Sequence, residues 1–265
     1  MLNKLASFLK KDFYIEKSYK FSFALSMFST LFSLFIFFFI NKFFGERIDA
    51  YELKVNYFSY VFLSIIIYNY TGAGLGSISQ KIRAEKLYGT LDNILNNENA
   101  INVFLLSIVI FNILLASFEA IIYILAGLFF FKLNFSVNLI SFSISLFLSI
   151  ICFSSLGIMS SSFIIMFKKG DPLSFFLNSF EGFFGGVYFP ISVLPFWAQY
   201  ISKILPITYS IGALQKSFYL KAGLSEILNE LIVLFFFSFF LLPLSIYLFK
   251  KAIYHSKIKG TINQY

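Results

Sequence analysis

Histidine and cysteine are almost missing from this 265-residue chain, which has one of each. The single histidine, His255, lies in a basic C-terminal tail, so one chain can build neither a histidine-based metal site nor a Ser–His pair. The single cysteine, Cys152, has no intrachain partner for a disulfide. It sits inside an apolar block, where it reads as a small packing residue. Charge is scarce too, with Asp, Glu, Lys and Arg making up 13% of residues. No G-x-x-x-x-G-K-[ST] run occurs, so there is no P-loop for ATP; Lys259-Gly260-Thr261 has the wrong order and no glycine loop before it. Intramembrane proteases and lipid-modifying enzymes need paired polar catalytic groups, and none can be assembled here. These shortages argue against an enzyme, a metal site or a cofactor bound by the chain itself.

What the chain has is apolar sequence: 58% of residues are hydrophobic and mean hydropathy is +0.81. A soluble protein needs more polar surface than this to cover its core. The apolar residues also run in blocks of the length that crosses the ~30 Å hydrocarbon layer. The sequence therefore predicts an all-α integral membrane protein in one domain. Six transmembrane helices are expected, at about 21–40, 57–79, 102–131, 136–167, 173–195 and 228–249. Residues 1–20 spread five lysines through their length and do not read as a cleavable signal. Leu2, Leu5, Leu9 and Phe13 share one helical face opposite Lys4, Lys10, Lys11 and Lys17, which predicts an interfacial amphipathic helix.

Six spans put both termini on one side. On that side, in 1–20, 80–101, 168–172 and 250–265, lie fourteen of the 21 Lys and Arg residues, and seven lie opposite. The positive-inside rule then makes the termini cytoplasmic and the protein a multi-pass component of the cell membrane. The net charge of +8 is accounted for by topology, and no nucleic-acid partner is implied.

Several spans carry small residues at helical spacing. Gly72-Ala-Gly-Leu-Gly76, the Ser154/Gly157/Ser161 face and Gly182-Phe-Phe-Gly-Gly186 read as close helix packing, or as a face lining a pathway or a dimer seam. Glu119 and Glu181 fall at membrane depth, where an ionised carboxylate costs at least ~2.5 kcal/mol. Each should be paired, protonated or facing water.

Two stretches are more specific. Residues 80–95 contain Glu85-x-x-x-Gly89-Thr90-Leu91, with Leu87, Leu91, Ile94 and Leu95 at helical spacing. This predicts a short amphipathic cytoplasmic helix interrupted at Gly89, with Thr90 capping its second half. Residues 185–209 read Gly185-Gly186…Phe189-Pro190…Leu194-Pro195-Phe196-Trp197…Pro206…Tyr209. The prolines break the helix, and a broken helix at membrane depth persists only where protein or a water-filled cavity satisfies its backbone. A re-entrant helical hairpin at the outer face follows, within an outer region 196–227. Its aromatic residues suit either an interfacial belt or stacking on sugars.

Together these stretches resemble the type-2 ABC exporter permeases, in which a G-T-L cytoplasmic helix follows the second span and a G-x-x-F-P…L-P…P-x-x-Y hairpin follows the fifth. The order around the hairpin is more similar to the drug-resistance branch than to the polysaccharide branch. The resemblance implies two permease copies, each docked on a separate ATPase subunit that holds ATP and Mg. It implies coupling through Glu85, Leu87, Gly89, Thr90, Leu91 and Leu95, with Glu85 paired to a basic residue of the ATPase. It places a gate at Gly185, Gly186, Pro190, Pro195, Trp197 and Pro206, and an amphiphilic cargo moving outward. Two other classes fit the residues: a proton- or ion-coupled transporter using Glu119 or Glu181, and a membrane scaffold.

Overall fold

The computed structural model describes residues 2–44, 55–95, 98–133, 135–167 and 171–258, and among them there are helices and no strands. Arg47, Lys54, Lys168, Lys169 and the tail from Lys259 lie outside the described residues. Helix α1 (Leu2–Ser18) leads into α2 (Lys20–Phe44), and α3 (Tyr57–Leu87) returns to the end where the chain began. There follow the short α4 (Leu91–Leu95), then α5 (Glu98–Phe129), α6 (Leu139–Phe167) and α7 (Pro172–Phe184). A 3-10 turn (Ile191–Val193), α8 (Phe196–Ile204) and α9 (Pro206–Tyr219) form a hairpin before α10 (Leu228–Ile258).

Five helices, α2, α3, α5, α6 and α10, are long and apolar enough to cross a membrane. They match the first four expected segments and the last. Two of them overshoot. The second runs on from 79 to Leu87 and the last from 249 to Ile258. Each has 31 residues, about 46 Å of helix against a ~30 Å hydrocarbon layer. Hydropathy marks where lipid ends; Gln80, Lys81, Lys250 and Lys251 leave the lipid without leaving the helix. The expected fifth segment, 173–195, departs in the other direction. It is helical only over the 13 residues of α7, about 20 Å, and unwinds at Gly185.

Helix α3 is the axis of the bundle. Of its most apolar stretch 61% is buried, against 6% for α2, which stands at the edge. One core cluster surrounds the first half of α3, built on Tyr60, Phe62, Leu63, Leu75, Phe153 and Ile207. A second surrounds its last turns and binds Ile82, Leu91, Leu95, Phe104, Ile108 and Ile253. Helix α10 runs parallel to α6, where Ser238 donates to the Leu148 carbonyl at 3.1 Å.

The α3–α6 crossing depends on glycine. A Cβ at Gly157 would stand 2.5 Å from the Gly74 carbonyl oxygen and 2.8 Å from that of Leu75, so the two backbones touch. The small residue used on α3 is Gly74, which faces Phe153 and Ser154 of α6. Gly72 and Gly76 sit two residues away, about 200° round the helix. A Cβ at Gly72 would meet nothing within 4 Å. The expected small-xxx-small pair is thus real spacing on a different face. Gly157→Ala is expected to destabilise the bundle by about 1–3 kcal/mol through overpacking. Gly72→Ala is expected to leave thermal unfolding in detergent nearly unchanged, and the two midpoints measured side by side test the crossing.

Candidate functional site

The break after α7 is held by hydroxyls from α3. Helix α7 caps at Gly185, and Gly186 takes φ +84°, a left-handed conformation that an L side chain resists. A Cβ at Gly185 would lie 2.2 Å from the Ile207 side chain and 2.3 Å from the Glu181 carbonyl oxygen. Tyr60 donates to the Gly186 carbonyl at 2.5 Å and Tyr57 to that of Tyr188 at 2.9 Å. Tyr68 reaches back to the Asn178 carbonyl of α7 at 2.9 Å. From the other side Gln215 of α9 donates to the Tyr60 carbonyl (3.0 Å) and to Ser64 Oγ (2.7 Å). Tyr219 donates to the Ser59 carbonyl at 2.6 Å. Gly186 and Tyr188 lie beyond the end of α7, so Tyr60 and Tyr57 supply what a regular helix would have supplied there, while the other bonds tie α7 and α9 to α3.

The prolines mark the corners. Pro190 is buried beside the 3-10 turn, Pro195 is the N-cap of α8, and Pro206 opens α9, where its missing N–H costs nothing. Helix α8 buries Ala198 and Ser202 and turns Phe196, Trp197, Tyr200 and Ile204 outward. Trp197 meets Phe184 edge-on at 6.2 Å.

At the opposite end, α3 stops at Leu87 and the chain turns through Gly89, whose φ is +69°. The first half of the expected coupling helix is therefore the end of α3, and only α4 is separate. The structure divides the expected coupling residues. Leu91 and Leu95 are buried in the second core cluster and anchor α4. Leu87 (56% exposed) and Tyr88 (71%) face outward with Gly89. Glu85 is 1% exposed and already has a partner within the chain, Lys11 of α1, at 2.5 Å. Thr90 donates its hydroxyl to the Glu85 carboxylate and closes the bend. A second ion pair, Asp12 with Lys81, fastens α1 beside it. Helix α1 is thus docked by charge as well as by Phe8, whose ring lies 5.4 Å from that of Phe104; Phe13, expected on the apolar face of an interfacial helix, is exposed.

Asp171 was not expected in a functional role, although Asp-Pro ahead of an apolar run is a helix-start signal. It caps α7 through Ser174 N at 3.1 Å and accepts from Ser160 of α6 at 2.5 Å and from Ser79 of α3. Three helices meet on one carboxylate. Burial pushes its pKa up, but the hydrogen bonds from Ser160, Ser79 and Ser174 outweigh this and hold it below its ordinary value.

The two glutamates expected at membrane depth differ. Glu181 is 1% exposed, and neither carboxylate oxygen finds a hydrogen-bond partner among the described residues. Glu119 is half-buried and lines a polar cleft of about 430 Å³ with Thr30 of α2, Asn69 and Gly72 of α3, and Asn178 of α7. A neighbouring cavity of about 470 Å³ shares Gly72 and Ala73 and continues past Gln80 to Asp12 and Asn112. One face of α3 therefore offers polar and small residues from mid-helix to its end.

Long apolar helices packed round a central one, with a helix broken at Gly185, fit a multi-pass membrane protein. The chain matches the ABC-2 type transporter family over residues 15–219, and it belongs to that family. It is thus a permease subunit of an ABC transporter, a class that works with ABC ATPase partners. A comparison with curated proteins gives no match.

Because the folded pKa of Asp171 is depressed, its stabilising contribution is present above the ordinary value of 3.8 and is lost as pH falls through the folded value. Wild-type protein in detergent is expected to lose thermal stability below about pH 4. Asp171→Asn is expected to unfold at a lower temperature at pH 7 and to show a flatter acid limb.

Proposed function

We propose that this chain is the membrane-spanning half of an ATP-driven exporter that acts as a dimer of permeases, each bearing one cytoplasmic ABC ATPase. The observation that carries this reading is the polar face of α3. Asn69, Gln80, Glu119 and Asn178 cannot be left against hydrocarbon, since polar groups at membrane depth pair, face a bundle interior or line water. A second copy laid against the α2–α3–α7 side would enclose that face and make it a path between two permeases.

In this reading α7 and the α8–α9 hairpin together act as the sixth membrane element, with the hairpin re-entering the outer leaflet and the aromatic face of α8 at the interface. Both termini are cytoplasmic, as the lysine distribution supports. The ATPase docks on Leu87, Tyr88 and Gly89 at the α3–α4 bend, with α1 as a second contact. Glu85 and Thr90 set the shape of that bend from inside, while Leu91 and Leu95 hold α4 to the core. A push on the bend travels along α3, about 46 Å, to the tyrosines that hold the Gly185–Gly186 break. Gate movement at Gly185, Gly186, Pro190, Pro195 and Pro206 follows from rearranging those bonds, with Trp197 as the interfacial anchor. The hairpin order supports an amphiphilic cargo of the drug-resistance kind.

Purification of the tagged chain from its own membranes in mild detergent tests this. A stoichiometric subunit with a P-loop is expected, and it should be lost in the Leu87→Asp/Tyr88→Asp variant. Glu85→Arg breaks the pairing with Lys11. It is expected to leave the ATPase bound and hydrolysing while transport stops. A permease that purifies alone and transports after ATP depletion would overturn the reading in favour of an ion-coupled carrier using Glu119 or Glu181.

A further inference from the structure

Helices α5 and α6 both pack on α3 and leave a furrow between them, on the flank away from the α2–α7 cleft. It holds a cavity of about 270 Å³ toward the hairpin end and one of about 700 Å³ toward the end bearing the termini. Ile150 and Ser154 line both, so the two adjoin. The larger part is walled by Leu105 and Val109 of α5, Ile158 of α6 and Ile246 and Phe249 of α10. At its end stand Lys250, Tyr254 and Lys257. Lys257 Nζ donates to the Leu95 carbonyl at 3.0 Å, and Lys250 is exposed with no ion pair among the described residues. No described carboxylate lines the furrow.

We propose that this furrow binds one anionic phospholipid, with its acyl chains between α5 and α6 and its phosphate between Lys250 and Lys257. Apolarity alone would not make a site, because bulk lipid tails are as apolar as the walls. What distinguishes the furrow is concave contact along a chain and uncompensated positive charge at one end only. A Lys near the surface contributes about fivefold in affinity for an anionic headgroup. A partner helix is a poor occupant of the larger part, since close helix approach needs small residues and the one small residue lining it is Ser154. Exposed Leu106, Leu242 and Tyr254 leave the furrow open to the bilayer. The inference is independent of the ATPase reading and requires only that the chain sits in a membrane.

The test is native mass spectrometry of the full chain in neutral detergent, with dioleoylphosphatidylglycerol or dioleoylphosphatidylcholine added at equal concentration. One phosphatidylglycerol per chain is expected to be retained in preference to phosphatidylcholine. Lys250→Gln and Lys257→Gln should each weaken that retention about fivefold. Lys251→Gln, whose cation lies over the Tyr247 ring 6.0 Å away, should not. Lys250→Gln leaves the Lys257–Leu95 bond intact, so its effect is separable from damage to the fold. Val109→Trp keeps both lysines and fills the furrow, and it should lower retention of phosphatidylglycerol. Equal retention of the two lipids, or retention unchanged in the Lys250→Gln/Lys257→Gln double variant or in Val109→Trp, would overturn the proposal. Displacement of the lipid by glycerol 3-phosphate or inorganic phosphate at similar concentration would also overturn it, by assigning the lysines to a soluble anion.

Discussion

A broken helix in the interior of a bundle leaves backbone groups that protein or enclosed water must complete. The stretch after α7 is where this chain meets that constraint. The Gly186 and Tyr188 carbonyls are met by Tyr60 and Tyr57 of α3, and α9 is tied to the same turns of α3 through Gln215 and Tyr219. The hairpin can leave helical geometry because α3 carries long side chains with hydroxyls at their tips. Apolar bodies pack in the core while polar tips reach the backbone. The position of α8, the short length of α7 and the burial of Tyr60 all depend on this arrangement.

The opposite end of the bundle solves a different problem with carboxylates. Glu85 is buried and Asp171 half-buried, each near a helix end, and each is surrounded by donors: Lys11 and Thr90 for Glu85, and Ser79, Ser160 and Ser174 for Asp171. A buried charge is tolerable only when its lone pairs are taken up in this way. Glu181 stands apart, buried with neither oxygen partnered among the described residues. The chain thus separates carboxylates that tie helices together from one that ties nothing, and the latter lies one turn before the Gly185–Gly186 break.

The long helices were legible because lipid imposes a length on apolar runs, and composition alone recovers that. Where the helices stop was less legible, since Lys81 and Lys250 change the solvent without changing the helix. The fifth segment read as a span because Val187 and Phe189 are as apolar as their predecessors; only the positive φ of Gly186 and the crowding at Gly185 interrupt the helix there. The bend between α3 and α4 could be placed from Gly89-Thr90-Leu91, but not which of the nearby leucines would be covered. That is decided by Phe104 and Ile253, which are close in space and distant in sequence. The small-residue pattern on α3 showed that a close contact existed, yet a two-residue shift from Gly72 to Gly74 moves it across the helix. Glu85 was expected to await a partner chain because its real partner, Lys11, is 74 positions away.

That separation bears on the order of assembly. Helix α1 is made before α3, but both ion pairs that fix it, Lys11 with Glu85 and Asp12 with Lys81, need the far end of α3. Until the second long helix has been synthesised and has returned to the starting side, α1 has no counter-charges and the bend at Gly89 has no Lys11 to close against. Helix α1 is therefore a latch made early and set by a segment made later, and its docking reports that the first helical pair has been threaded in the correct direction.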